Sequence, residues 1–379
     1  MEKIKVLMVL GNTGMGGSQA FVLNLIQNCD LNRFHFDIAV SYEISNGISD
    51  RVKRLGCNVY LLPYFKVYNC FHYVRVWRRF LKEHQYDIVH AHSTNSASVY
   101  LRIAKENGCI TIAHSHSAGY RGGPLQRFAK RLFAKGVNSA ADYWFACSDK
   151  AAIRLFGNAY KEYNHYYTIP NAINAEKYLY NADKAKEIRR ELGIEDNVLL
   201  CGHVGTFSVP KNHLFLLDVF SEVLKYRPDA HLVCCGSGAL MPQVKEKALS
   251  MGILDKILFT GVVMNVNEYM MAMDVFLFPS LFEGFPVSVI EAEATGMSVV
   301  MSDVITKEVD ITDLIHRHSL DEPSSLWADT ICKTVRGNRT KYNKIIANSQ
   351  YNMRKSAELV SSLYEKMVHE KKLNIITIK

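Results

Sequence analysis

Segment 279–297, PSLFEGFPVSVIEAEATGM, holds the densest set of groups able to act on a charged substrate. It follows an apolar run and opens a helical stretch, with Pro286 near the first helical position, where a missing N–H costs nothing. The amides of Val287 and Ser288 are then free to face an anion, because a helix N-terminus presents unpaired N–H groups and the positive end of its dipole. Glu283 lies in the loop before the helix and Glu291 about two turns along it, so one carboxylate can meet a sugar and the other a ribose. Two histidine pairs, His90/His92 and His114/His116, fall at strand-like runs, where alternate residues share a face. That spacing invites a metal reading, but no Cys or carboxylate completes a ligand pattern. A histidine at a strand end is more often a hydrogen-bonded structural residue. On its own, Lys211 reads as a solvated loop lysine, and Gly236 and Gly238 read as an ordinary turn.

These residues need elements to hold them. Short apolar runs at Lys5–Leu10, Asp37–Val40, Val59–Leu62, Ile88–Ala91, Ile110–Ala113 and Tyr143–Ala146 read as buried parallel strands. Amphipathic stretches such as Gln19–Gln27 and Val74–Glu83 read as the crossover helices between them. A Pro/Asn-rich break at Ile169–Asn174 and a charged helix, Asp183–Leu192, stopped by Gly193, open a second series. Its strands are expected at Val198–Val204, His231–Cys235, Lys256–Phe259, Val275–Phe278 and Ser298–Ser302. The expectation is an α/β protein of two doubly wound domains facing a cleft, residues 1–170 and 171–354. A last helix, Lys355–His369, is assigned a packing role, and the tail from about 355 to 379 is expected to pack on the first domain.

The chain has 379 residues, 48% hydrophobic and 22% charged, which excludes disorder and low complexity. No apolar run approaches the roughly 18 residues needed to span a bilayer. The opening MEKIKVLMVLGNTG reads as a first strand rather than a signal peptide, so the expected location is the cytoplasm. Nine cysteines without C-x-x-C pairs read as reduced thiols. The net charge of +8 is uneven: residues 1–170 hold 21 Lys and Arg against 11 Asp and Glu. An anionic partner is implied for that half, whether nucleic acid, a membrane surface or a phosphorylated lipid. Segment 124–135, PLQRFAKRLFAK, reads equally as a basic amphipathic helix lying on an anionic membrane and as a core-packed helix with a solvated face; Arg75, Arg78 and Arg79 lean towards the membrane. Segment 11–17, GNTGMGG, does not spell the dinucleotide fingerprint, and no nucleic-acid reading element is present.

Segment 279–297 resembles the E-x7-E signature of glycosyltransferase family 4, and further segments fall where that family places its own: Gly16-Gly17, the run 86–92 (YDIVHAH), the 169–171 junction (IPN), Val204-Gly205 with Lys211, and Gly236-Ser237-Gly238. HSHS at 114–117, PKNH at 210–213 and ITKEVDIT at 305–312 are similar to bacterial capsular and exopolysaccharide enzymes. The resemblance implies a GT-B fold and a retaining, metal-independent transfer of a hexosyl unit from a nucleotide sugar, a UDP-sugar by preference, to a lipid-linked or oligosaccharide acceptor, with no cofactor and no nucleic acid. It implies donor contacts from Gly16, Gly17, Thr206, Lys211, Gly236, Gly238, Glu283, Gly284, Phe285, Val287, Ser288 and Glu291. Within that set Glu291 binds ribose hydroxyls, Glu283 faces the donor sugar and Lys211 neutralises the departing diphosphate. His114 aligns with the family histidine near the reacting sugar, and His116 competes for that assignment. Two departures stand out: many relatives carry Arg where this chain has Thr206, and, more mildly, the family's Asn-Gly junction is here Asn171-Ala172. A nucleotide-sugar 2-epimerase shares the two-domain shape and is the rival enzyme reading.

Overall fold

The computed structural model describes residues 2–14, 16–45, 47–93, 96–116, 136–334 and 337–378, with side chains as far as residue 373. The basic segment 124–135 lies outside the described residues. The chain divides into two compact units, Met1–Ala172 with Met353–Lys379, and Ile173–Asn352.

In the first unit, strands β1 (Ile4–Val9), β2 (Phe34–Val40), β3 (Val59–Leu61), β4 (Ile88–Ala91), β5 (Ile110–Ser115), β6 (Tyr143–Ala146) and β7 (Tyr166–Thr168) form one sheet in the order β3-β2-β1-β4-β5-β6-β7. Every pairing is parallel, with Val6 opposite Phe36 on one side and Ile88 on the other. A parallel strand is covered on both faces, which is why IVHA in β4 and ITIAHS in β5 are buried throughout. Strand β7 has no such run; its YYT is half-buried to exposed at the sheet edge, so apolar patterning does not disclose it.

Helix Cys70–Glu83 begins four residues before the stretch read from periodicity. Its core stripe is Tyr73, Trp77, Phe80 and Leu81, whereas Phe71 and His72 are exposed and fall outside that pattern. The last helix, Met353–Ile378, buries Met353, Ala357, Val360, Leu363, Tyr364, Met367 and Val368 in the core of the first unit. Cys29 Sγ and Ser361 Oγ meet at 3.3 Å, and Arg33 pairs with Glu365, so polar contacts flank the apolar seam.

In the second unit, β8 (Leu200–Val204), β9 (His231–Cys235), β10 (Ile257–Gly261), β11 (Val275–Phe278), β12 (Ser298–Ser302) and β13 (Ile315–His318) are ordered β10-β9-β8-β11-β12-β13, again all parallel. Strand β13, IHRH, is half-buried along its length and was not legible as an apolar run. Helix Ala182–Glu191 is capped by Asn181, whose Oδ1 accepts from the amides of Asp183 and Lys184, and Gly193, at φ +70°, follows its end. Arg189, buried, bonds Asp274 at 2.6 Å and the carbonyl of Ala272 at 3.0 Å, fixing that helix to the start of β11.

Candidate active site

The sheet of the second unit changes direction of growth between β8 and β11, and in open parallel sheets ligands bind beyond the carboxyl ends of the strands at such a point. The loop leaving β8 runs from Gly205 to Asn212. A Cβ at Gly205 would come to 3.0 Å from both His203 Nε2 and Lys211 Cε, so the lysine stem passes closely over this glycine. Lys211 closes the short turn Val209–Lys211, and Asn212, at φ 52°, directs the chain into helix His213–Tyr226. The loop leaving β11 is bonded to this one through Leu281 N to Pro210 O, 2.8 Å.

Across the two loops, Lys211 Nζ stands 2.8 Å from Glu283 Oε1 and 4.4 Å from the centre of the Phe278 ring. The ammonium is therefore held in place before any ligand arrives. Behind it lie His203 and His213, both buried, in edge-to-face contact at 4.7 Å. Burial, and then neighbouring positive groups including Lys211, hold His203 well below its ordinary range and push His213 down to about 4, so this wall is uncharged near neutral pH.

Helix Val287–Ala294 starts immediately beyond Glu283, with Pro286 at the cap, one position before the first helical residue. Among the described residues, the amides of Val287 and Ser288 form no hydrogen bond, and both residues are half-buried. Phe285 is buried and stacks on Tyr351 at 5.5 Å, which anchors the half-buried Gly284 turn from below. Glu291 accepts a 2.7 Å hydrogen bond from the Tyr178 hydroxyl. Burial raises the Glu291 carboxyl, while the Tyr178 bond and the charge of Lys211 oppose the rise. Glu293, two residues on, faces the opposite way: its Oε1 accepts from the amides of Ile311 and Thr312 and from the Thr312 hydroxyl, and burial pushes its carboxyl up to about 7. Two successive acidic positions on one helix thus serve different ends, one half-buried and one a loop clamp.

Gly236 and Gly238 have a local reason to be glycine. A Cβ at Gly236, whose φ is +144°, would lie 2.1 Å from the Gly205 carbonyl, and one at Gly238 would lie 2.4 Å from the Phe207 carbonyl. The loop leaving β9 thereby packs backbone to backbone on the loop that carries Lys211. Thr206 is exposed at the tip of that turn.

In the first unit, Gly16 caps helix Gly17–Asn28 and both glycines are exposed. A Cβ at Gly17 would meet nothing within 4 Å, and one at Gly16 only the flexible end of Gln19, so no backbone packing demands either. His90 in β4 and His114 in β5, with His92 and His116 just past the ends of those strands, form a ladder. His90 Nδ1 is 2.6 Å from the Tyr364 hydroxyl and its Nε2 is 3.2 Å from His114 Nδ1; His92 Nδ1 is 2.7 Å from His116 Nε2, and His116 Nδ1 is 3.1 Å from Asn171 Oδ1. Nitrogens of His90, His92 and His114 lie within 4.8 Å of one another, as three metal ligands would. Most of them are already spent on hydrogen bonds, and His114 Nε2 is buried with no partner among the described residues. Burial holds all four rings below the ordinary range, His116 at about 4. His114 is fully buried, and His116, at the open end of β5, is half-buried.

Tyr178 and His203 were not singled out from the sequence, and His213 entered only as the last residue of the PKNH segment, with no role assigned. Tyr178 reaches Glu291 from a short turn, Ala175–Tyr178, by tertiary packing alone, and no periodicity marks such a contact.

The Anabaena protein HepE, solved in complex with UDP and glucose, superposes with a TM-score of 0.75 over 96% of this chain and 99% of its own, at 16% identity. The fold is that of the GT-B glycosyltransferases. Residues 15–177 match the family model "Glycosyltransferase Family 4" and residues 196–331 match "Glycosyl transferases group 1". EpsF of Bacillus subtilis (strain 168), by name a glycosyltransferase, is 31% identical over 342 residues, 89% of each chain. An Escherichia coli UDP-Gal:alpha-D-GlcNAc-diphosphoundecaprenol alpha-1,3-galactosyltransferase is 26% identical over 238 residues, 60% of each chain. The chain belongs to glycosyltransferase family 4 and is a glycosyltransferase.

Proposed function

We propose that the protein moves a hexosyl unit from a UDP-sugar to a lipid-linked glycan during bacterial surface polysaccharide assembly, with retention at the anomeric carbon and without a metal. The observation that carries this reading is the Lys211–Glu283 pair at the β8/β11 switch point, beside the unbonded amides of Val287 and Ser288. A diphosphate beside that pair receives Lys211 as its cation and the two amides as donors, the arrangement that stabilises charge developing on a leaving group. Glu291, held by Tyr178, accepts from the ribose hydroxyls, and Glu283 orients the sugar. Gly284 and Phe285 shape the turn between them, while Thr206, Gly236 and Gly238 line the neighbouring loops. Gly16 and Gly17 leave backbone open to a phosphate.

In the proposed step the bond from the anomeric carbon to the diphosphate oxygen breaks as the bond to the acceptor oxygen forms on the same face. The acceptor proton passes to the departing phosphate. Of the two histidines, His114 keeps the assignment to the donor sugar, since its Nε2 has no partner among the described residues, and His116, whose two ring nitrogens are hydrogen-bonded, is its competitor. HepE's complex with UDP and glucose supports the donor class, and the named acceptor of the E. coli relative supports a polyprenyl-diphosphate glycan.

The test incubates the protein in EDTA with a panel of UDP-, GDP- and CDP-hexoses and a polyprenyl-diphosphate-linked sugar, and reads products by mass and anomeric configuration. A glycosylated lipid with the donor's anomeric configuration is expected. Isomerised nucleotide sugar without transfer, inversion, or a strict need for added metal contradicts the reading.

A further inference from the structure

The first unit exposes a strip of large apolar side chains that its own folding does not require. Phe71 is 93% exposed, Tyr68 82%, Val67 76%, Leu61 63% and Tyr64 53%, all within eleven residues of chain. They lie between the end of β3 and the first turn of helix Cys70–Glu83. The helix has already buried its other face through Tyr73, Trp77, Phe80 and Leu81, so the exposed residues are surplus to the core. Exposed apolar side chains clustered in this way mark an interaction surface.

The cations beside the strip are ordered with it. At 100° per residue, Phe71, Arg75, Arg78 and Lys82 fall at i, i+4, i+7 and i+11 and form one stripe along the exposed face. Residues 61–82 hold five cations, Lys66, Arg75, Arg78, Arg79 and Lys82, and no Asp or Glu. Arg78 and Arg79 pair with Glu106 and Glu83 at the far end of the helix, but Arg75 and Lys82 make no ion pair among the described residues. The Lys66 ammonium lies 5.4 Å from the centre of the Tyr68 ring, at the apolar end.

We propose that this strip docks the protein on an anionic lipid bilayer, with Leu61, Val67, Tyr68 and Phe71 entering the headgroup layer and the Arg75–Lys82 stripe lying along the anionic surface. Two signals together are what reversible attachment needs, since neither a few apolar side chains nor a few cations hold a protein on lipid alone. Aromatic rings with a polar tip suit the water–hydrocarbon boundary. Leu61 and Val67 are aliphatic and offer no stacking face to a nucleotide base, whereas the hydrocarbon boundary accepts them. The cations Arg75 and Lys82, unpaired among the described residues, also favour anionic lipid over a neutral one. Its binding is read without donor or acceptor, so it stands or falls separately from the transfer reaction.

The experiment is co-sedimentation of the full chain with vesicles of phosphatidylcholine alone and with 30 mole per cent phosphatidylglycerol, at about 0.1 M and 0.5 M NaCl, where screening lengths differ by roughly twofold. Binding only to the anionic vesicles, weakened at high salt, is expected. Val67→Asp/Phe71→Asp should lower partitioning at least tenfold, and Arg75→Glu/Lys82→Glu by a similar factor. Exposed positions tolerate such changes, and an unaltered thermal melt verifies folding. Ile153→Asp, at another exposed apolar site of the same unit, should bind as the unsubstituted chain does. As a second readout, Val67→Trp should show a blue-shifted emission with anionic vesicles. Equal binding by the Val67→Asp/Phe71→Asp variant, equal binding to neutral vesicles, an unshifted Val67→Trp spectrum, or polyuridylate binding tighter than vesicle binding would each overturn the proposal.

Discussion

Glu291 and Tyr178 work as a pair. The tyrosine hydroxyl donates to Glu291 Oε1, so in the proposed reading Oε2 is the oxygen that accepts from a ribose hydroxyl. Glu291→Ala is expected to weaken UDP binding by about 10- to 100-fold, the worth of one or two hydrogen bonds to a charged group. Tyr178→Phe, which frees the carboxylate to rotate but keeps its charge, should cost only a few fold. Titration calorimetry of both variants checks the ranking, and a larger loss in Tyr178→Phe would refute the assigned order. Glu283, Lys211 and Glu291 were all legible in the sequence because their segments carry a family signature. Tyr178 was not, because its role arises from the fold bringing residues 178 and 291 together.

Strands β4 and β5 act as an element through their histidine ladder. Their rings stay neutral because burial penalises the charged form, which holds His116 at about 4 against an ordinary 6.5. Well above pH 6.5, from about pH 8, the rings are neutral in both folded and unfolded chains and contribute no pH dependence. Below it the unfolded chain takes up protons that the folded one refuses, so stability falls as pH drops from 6.5 towards 4. His116 alone would account for at most about 3 kcal/mol over that window. Thermal melts between pH 7.5 and 4.5 should show the first unit losing stability faster in the unsubstituted chain than in His116→Asn; parallel pH profiles would contradict this. The strands carrying these histidines were readable because parallel pairing demands continuous apolar runs. The edge strands β7 and β13 escaped because an edge needs no such run, and YYT and IHRH look like loop. The start of helix Cys70–Glu83 escaped for a related reason, since exposed Phe71 breaks the stripe that reveals a buried face.

For the molecule as a whole, the chain leaves its first unit at Ala172 and returns to it at Met353. The last helix places seven apolar side chains in that unit's core, including the fully buried Tyr364 whose hydroxyl meets His90. At about 1.5 kcal/mol or more for each large side chain, their loss exceeds the lower end of a domain's usual stability of about 5 kcal/mol. A chain ending at Asn352 is therefore expected to lose the melting transition of the first unit while still binding UDP through Lys211 and Glu291. Retention of two transitions in calorimetry would contradict that division.

The central claim is that a nucleoside diphosphate is held in the second unit by Lys211 and the helix amides without a metal. Calorimetric titration of UDP in excess EDTA, into the unsubstituted chain and Lys211→Met, tests it most directly. The account predicts binding that EDTA leaves unchanged and that Lys211→Met weakens by at least tenfold. Binding that appears only when Mg²⁺ or Mn²⁺ is restored, or that survives Lys211→Met at full strength, would contradict it.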